Sequence, residues 1–245
     1  MVRQDPDPHP RTPVTAGRFG AAPGTTGTTA AYDAGNPSRG GRRRLSRIAA
    51  PAATASSKGF HMATAVLFVC HANLCRSPMA EYTARRLLAG WPVTVASAGT
   101  DAVAGLAMHP FAARIAAEMG ADPAGFRSRR LAPEHLNHAA LVLTATRRQR
   151  SVCTALAPAA LHRTFTLRQF GRLIAAVEPP VQEHADPLRA AVAAAALARG
   201  RLQPALGDAD DLRDPLTGTP DDFRHCAREI ERCLRPLAAL IGTAG

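Results

Sequence analysis

No stretch of the 245-residue sequence approaches the roughly 18 consecutive apolar residues of a bilayer-spanning helix, so a soluble chain with no membrane partner is expected. Cysteine is scarce. Five residues, an odd number scattered between positions 70 and 233, do not make the disulfide framework of a small secreted domain, and a reducing cytoplasm is the expected compartment. No paired zinc-ligand spacing is present, so neither a metal nor a cofactor is expected. The GRRRLSRIAAPAATASS segment has the arginines of an export signal but only a short, alanine-rich apolar part, which argues against export.

The formal charge of +11 is unevenly placed. Residues 1 to 60 hold nine Lys and Arg against three Asp and Glu, or +6, and the remainder carries +5. A folded part so little charged for its length argues against specific nucleic-acid binding. Residues 1 to 60 are rich in Pro, Gly, Thr, Ser, Ala and Arg, with Phe19, Ile48 and Phe60 almost the only large apolar side chains, and are expected to be a disordered tail. Met62 is a candidate start of the functional unit.

From Ala65 onward, strands and helices alternate. Strands are expected at Ala65 to Val69, Val93 to Ala98, Ala140 to Thr144 and Thr164 to Leu167. Helices are expected at Pro78 to Ala89, Pro110 to Met119, Arg147 to Leu156, Leu188 to Ala198 and from Pro220 onward. This order implies an α/β three-layer sandwich with a central four-stranded parallel sheet and ligands at the carboxyl ends of its strands. In the last helix Thr219 is the expected cap, and Asp221 and Asp222 favour the positive end of the dipole. Phe223, Cys226, Ile230, Cys233, Leu237 and Leu240 recur on its inner face, and Pro236 is expected to kink or interrupt it.

The stretch VLFVCHANLCRSPMAEY, Val66 to Tyr82, places reactive residues in the turn between the first strand and a helix. Cys70 and Arg76 stand six apart. The same spacing separates Cys226 from Arg232 inside a helix, where no anion cradle can form. In the turn, successive N–H groups from His71, Ala72, Asn73, Leu74, Cys75 and Arg76 can converge on a phosphate at the positive end of the helix dipole. That field also favours thiolate at Cys70. Arg76 would clamp phosphate through its planar fork, Ser77 would donate to the sulfur, and Asn73 would hold the loop. The competing reading is an inert buried cysteine beside a surface arginine.

The run VCHANLCRSPMAE resembles the signature of the low-molecular-weight protein tyrosine phosphatase family. Ser97-Ala98-Gly99-Thr100, Ser128-Arg129-Arg130-Leu131, LVLTAT and DPLTGTPDDF resemble further motifs of that family, and the likeness covers residues 63–245. The resemblance implies a phosphatase domain over that span, with a phosphate-binding loop after the first strand. Cys70 would be the nucleophile, Arg76 the phosphate clamp, Asn73 and Ser77 loop supports, and Asp214 the general acid. It also implies a reversible disulfide between Cys75 and Cys70. Asp208, Asp210 and Asp211 are rival acids. The expected function is metal-independent phosphomonoester hydrolysis through a phosphocysteine intermediate, by a monomer, on phosphotyrosine proteins or small phosphomonoesters.

Three departures bear on this reading. Ala72 replaces the family's usual glycine and would be strained if its φ were positive. Leu216, Val103 and Ala104 stand where many members carry aromatic walls. Residues 171 to about 212 are longer than expected, and their helix is expected to lie in solvent. Arsenate reduction on the same fold, with Cys153 as the one further thiol outside the last helix, and a non-catalytic anion-binding module are the alternatives. His109, His135, His138 and His162 are expected to be surface or capping residues.

Overall fold

The computed structural model describes residues 64–177, 185–203 and 205–242; the expected 1–60 tail lies outside them. The order is β1 (Thr64–Cys70), α1 (Arg76–Leu87), β2 (Val93–Gly99), α2 (Pro110–Glu118), α3 (Pro133–His138) and β3 (Ala139–Thr144). There follow α4 (Arg147–Leu156), a 3₁₀ turn (Pro158–Arg163), β4 (Thr164–Thr166), α5 (Leu167–Ile174), α6 (Pro187–Ala198) and α7 (Pro220–Gly242). The four strands are parallel and lie in the order β2-β1-β3-β4, so β1 is interior and ends with Cys70 opposite Gly99.

The two-residue period of β1 divides the core into two layers. Val66, Phe68 and Cys70 join one cluster with Phe165, Phe170 and residues of α1, α2, α5, α6 and α7. Leu67 and Val69 face the other way, with Leu136 of α3, Cys153 of α4 and Ala160 of the 3₁₀ turn. Phe68, Phe165, Phe170 and Phe223 are fully buried, each worth about 2–3 kcal/mol in area removed from water. Phe165 and Phe170 meet edge-on at 5.3 Å.

The strand positions follow the expectation, except that β4 stops at Thr166 and Leu167 begins α5. Thr166 caps that helix, its hydroxyl accepting from the Gln169 N–H at 3.2 Å. Gly171 weakens the helical pattern of LRQFGRLI, yet the fold requires it. A Cβ there would stand 2.9 Å from the Cys233 Cα and carbonyl oxygen, so α5 and α7 cross on a glycine. α3 and the 3₁₀ turn also went unforeseen, being too short for a periodicity to show.

One expectation fails. α6 does not lie in solvent: Leu188, Ala191, Val192 and Ala195 form a buried stripe in the main core. Of the kink or interruption expected at Pro236, the interruption is absent, and α7 runs 23 residues through it. Burial of Ile230, Leu234, Leu237, Leu240 and Ile241 outweighs the roughly 3 kcal/mol cost of an interior proline. Among the described residues no helix is long and apolar enough to cross a membrane.

Candidate active site

Cys70 is the last residue of β1 and only 2% exposed, so its sulfur lies at the bottom of the strand-to-helix turn. The Ser77 hydroxyl, in the first turn of α1, stands 2.9 Å from that sulfur. Ser77 also accepts from the Asn73 side-chain amide at 2.9 Å, which leaves its own proton for the sulfur or for the more distant Ala98 carbonyl at 3.3 Å. The orientation of the Asn73 amide is fixed from its other end. Its carbonyl accepts from the Arg129 N–H at 2.9 Å, and its NH₂ also donates to the Ser97 hydroxyl at 2.9 Å. Ser97 in turn donates to the buried Glu81 carboxylate at 2.5 Å, and Glu81 pairs with Arg85.

The backbone carries the same message. Asn73 has φ +56°, the one non-glycine residue in the left-handed region among the described residues, and Asn is among the few side chains that tolerate it. The condition for strain at Ala72 is not met, because the loop puts its positive φ one residue later. Gly99 of β2 holds the loop by closeness: a Cβ there would lie 2.4 Å from the His71 carbonyl oxygen and 2.8 Å from the Asn73 nitrogen. The N–H groups of Thr100 and Asp101 donate to the carbonyls of Cys70 and His71, and that of His109 to Leu74. No side chain caps α1, and the N–H groups of Ala72 to Arg76 meet no acceptor among the described residues. Donors left open at a helix start are the requirement of an anion cradle.

Arg76 is buried and points across the cleft to the segment before α7. It donates to the Leu212 carbonyl at 3.2 Å and pairs with the Asp214 carboxylate. Asp214 is 43% exposed at its side chain and also accepts from the Leu216 N–H at 3.2 Å. Cys70, His71, Ala72, Leu74, Cys75, Arg76, Asp214 and Leu216 line one cleft of about 260 Å³, partly open to solvent. The loop residues named from the sequence and the distant Asp214 thus meet in space. The rival acids do not: Asp210 pairs with Arg172, and Asp211 accepts from the Arg147 N–H at 2.8 Å.

The remaining named groups have other work. His71 pairs with Asp101 at 2.9 Å on the exposed rim. The Thr100 hydroxyl first, and His71 after it, hold the Asp101 carboxyl below its ordinary range. His109 caps α2 and stacks on Phe223 at 4.7 Å, His135 accepts from the Ala132 N–H, His138 approaches the Glu134 carbonyl, and His162 is exposed. Cys75 is buried beside the cleft, and burial, then the Asp214 and Cys70 charges, push its thiol up to about 12. Burial likewise pushes Cys226 and Cys153 to about 12. Cys153 lies in the opposite core layer, away from the cleft. Sequence reasoning gave no role to Glu81, Gly99 or Arg129. Each lay inside a recognised motif, and only the hydrogen bonds separate supports of the loop from bystanders.

Comparison with known proteins adds an independent line. The family model of the low molecular weight phosphotyrosine protein phosphatases matches residues 65–195, a span that contains Cys70 and Arg76 and stops short of Asp214. The probable low molecular weight protein-tyrosine-phosphatase EpsP of Ralstonia solanacearum is 39% identical over 82 residues, 34% of this chain and 55% of that protein. The chain thus spans little more than half the length of that relative. A protein-arginine-phosphatase of Geobacillus stearothermophilus is 39% identical over 106 residues, 43% of this chain and 70% of its own length. The tyrosine phosphatase Etp of Escherichia coli K12 is 36% identical over 108 residues, again 43% and 70%. Among solved structures, the YwlE arginine phosphatase of Geobacillus stearothermophilus superposes with a TM-score of 0.52 at 28% identity, covering 72% of this chain and 91% of that one.

Proposed function

The chain belongs to the low molecular weight phosphotyrosine protein phosphatase family, and on that premise we propose that it hydrolyses phosphomonoesters with Cys70 as nucleophile, Arg76 as clamp and Asp214 as general acid. The observation that carries the reading is the meeting of all three in one cleft, the sulfur 2.9 Å from a hydroxyl placed to donate to it. The thiolate attacks phosphorus in line with the ester oxygen. As that bond breaks, Asp214 gives its proton to the leaving oxygen, and a phosphocysteine remains. Asp214, now a carboxylate, takes a proton from water as the water displaces sulfur, and inorganic phosphate leaves. Negative charge on the equatorial oxygens is met by the open N–H groups of Ala72 to Arg76 and by the Arg76 fork, so the step needs no metal.

The substrate we propose is a phosphotyrosine protein, met in the cytoplasm by a monomer. A second reading, phosphoarginine, is favoured by the aliphatic lining, in which Leu74 and Leu216 face the cleft and no Phe, Tyr or Trp among the described residues does. Cys75 is proposed to protect the nucleophile: a sulfenic acid on Cys70 and the Cys75 thiol would give a disulfide and water. Its thiol, held near 12, makes that reaction slow at neutral pH. The arsenate reading is disfavoured because Cys153 lies across the sheet.

Hydrolysis of p-nitrophenyl phosphate by wild type and Cys70→Ser, with EDTA and reductant present, tests the reading. The variant is expected to lose at least about a thousandfold in kcat while still binding phosphate. Equal turnover in the two proteins would remove Cys70 from the mechanism. Phosphate binding without turnover in either would leave the anion-binding module.

A further inference from the structure

We infer that Asp210, held by Arg172, is the positioning residue for the acid Asp214, an inference that rests on the reading of Asp214 as general acid. Asp214 has two contacts of its own, the Arg76 ion pair and the Leu216 N–H. The first fails when it is needed. A phosphoryl group in the loop takes the Arg76 fork, and Asp214 must be protonated to donate, which removes the charge that drew it to Arg76. The place of the carboxyl during bond cleavage is then set by the chain on either side.

On the far side Pro215 is buried and its carbonyl accepts the Gly218 N–H at 2.8 Å, and beyond it stands an exposed turn where Thr219 and Asp222 bond each other, with no tie to another element among the described residues. The near side is fastened in the interior. Asp210 is 8% exposed, and both its oxygens approach one Arg172 nitrogen, at 3.1 and 3.3 Å. The other Arg172 terminal nitrogen donates to the Gln203 carbonyl at 3.2 Å, so one guanidinium on α5 ties down both ends of the 203–210 segment. Asp211 accepts the Arg147 N–H at 2.8 Å through its carboxylate and Arg168 at 3.2 Å through its carbonyl. Leu212, 2% exposed, donates its N–H to the Ala145 carbonyl at 2.8 Å.

Three consecutive residues are thus fixed to α5, α4 and the end of β3, two residues ahead of the acid. Asp210 lies outside the cleft lining, so changing it leaves the substrate's own contacts in place. It also explains the length of the connection between α5 and α7, which carries α6 into the core and brings the chain back at Asp210 to meet Arg172.

The test compares the full chain with Asp210→Asn on phenyl phosphate, whose leaving group needs a proton, and on p-nitrophenyl phosphate, whose leaving group needs little. Loss of the anchor is expected to lower kcat about tenfold or more on phenyl phosphate and about twofold on p-nitrophenyl phosphate. The charge-swapped pair Asp210→Arg with Arg172→Asp is expected to recover part of the loss. Equal loss on both substrates with an unchanged melting curve, or no loss on either, overturns the inference. Should Asp210→Asn fail to fold, Arg172→Lys keeps the charge, loses the two-handed grip, and is held to the same split. Asp214→Ala serves as reference: if it shows no split between the substrates, the acid itself is misassigned. A split there without one at position 210 refutes the anchor alone.

Discussion

The loop of the proposed nucleophile and the segment of the proposed acid are two halves of one cleft, built on different principles. Residues 70–77 are contiguous, buried except at His71, Ala72 and Leu74, and shaped by a strand end, a left-handed Asn73 and the start of α1, with Ser97, Gly99 and Arg129 packed against them. Residues 208–218 have no regular structure, present Asp214 to solvent, and are held by charges from α1, α4 and α5. The lesson is one of division of labour. The proposed nucleophile, Cys70, is held by hydrogen bonds from uncharged side chains, whereas the proposed acid, Asp214, is left exposed and positioned through its neighbours.

The largest expected effect separates the halves directly. Asp214→Ala should lower kcat on phenyl phosphate about a thousandfold and on p-nitrophenyl phosphate far less, with the two rates measured side by side. Equal losses would mean the acid segment serves the loop's geometry rather than proton transfer. Next is Gly99→Ala, which strikes the loop alone. Its Cβ would meet the backbone at His71 and Asn73, atoms that cannot step aside without moving the cradle. A shift of about 1 Å there should cost roughly a hundredfold in kcat/KM on both substrates alike, and about 1–3 kcal/mol of stability in a denaturant titration. Loss confined to phenyl phosphate would break the division.

The smallest effect lies at the start of α7. The Thr219 N–H, and then its hydroxyl, donate to the Asp222 carboxylate and hold its pKa below the ordinary carboxylate value. A carboxyl depressed by folding contributes stability above its unfolded pKa, and that contribution is lost as pH falls through the folded pKa. Asp222→Asn should therefore lower Tm slightly near neutral pH, and the difference from wild type should close in acid. A difference unchanged at low pH would mean the carboxylate charge is not what caps α7.

The same contrast decides how much was legible beforehand. β1, β3, α4 and the start of α7 follow from period, proline and capping signals, because each is written within a few residues. Cys70, Arg76, Asn73 and Ser77 could be read for the same reason: Ser77 stands against the Cys70 sulfur, Asn73 bonds Ser77, and Arg76 lines the same cleft as Cys70. α5 escaped because Gly171 weakens its pattern, for a reason visible only where Cys233 of α7 passes over it. The buried face of α6 escaped because alanines look alike inside and out.

What the sequence determined by itself is the order of strands and helices and the chemistry of the first turn, since backbone conformation and local hydrogen bonds depend on adjacent residues. Only the tertiary structure decided which aspartate faces Arg76. Asp210, Asp211 and Asp214 are alike in composition, and partners 38 to 138 residues away in the chain gave each its contacts. The resemblance of DPLTGTPDDF singled out Asp214 beforehand, but electrostatic attraction acts through space, so the partners of the other aspartates could not be read from any local pattern.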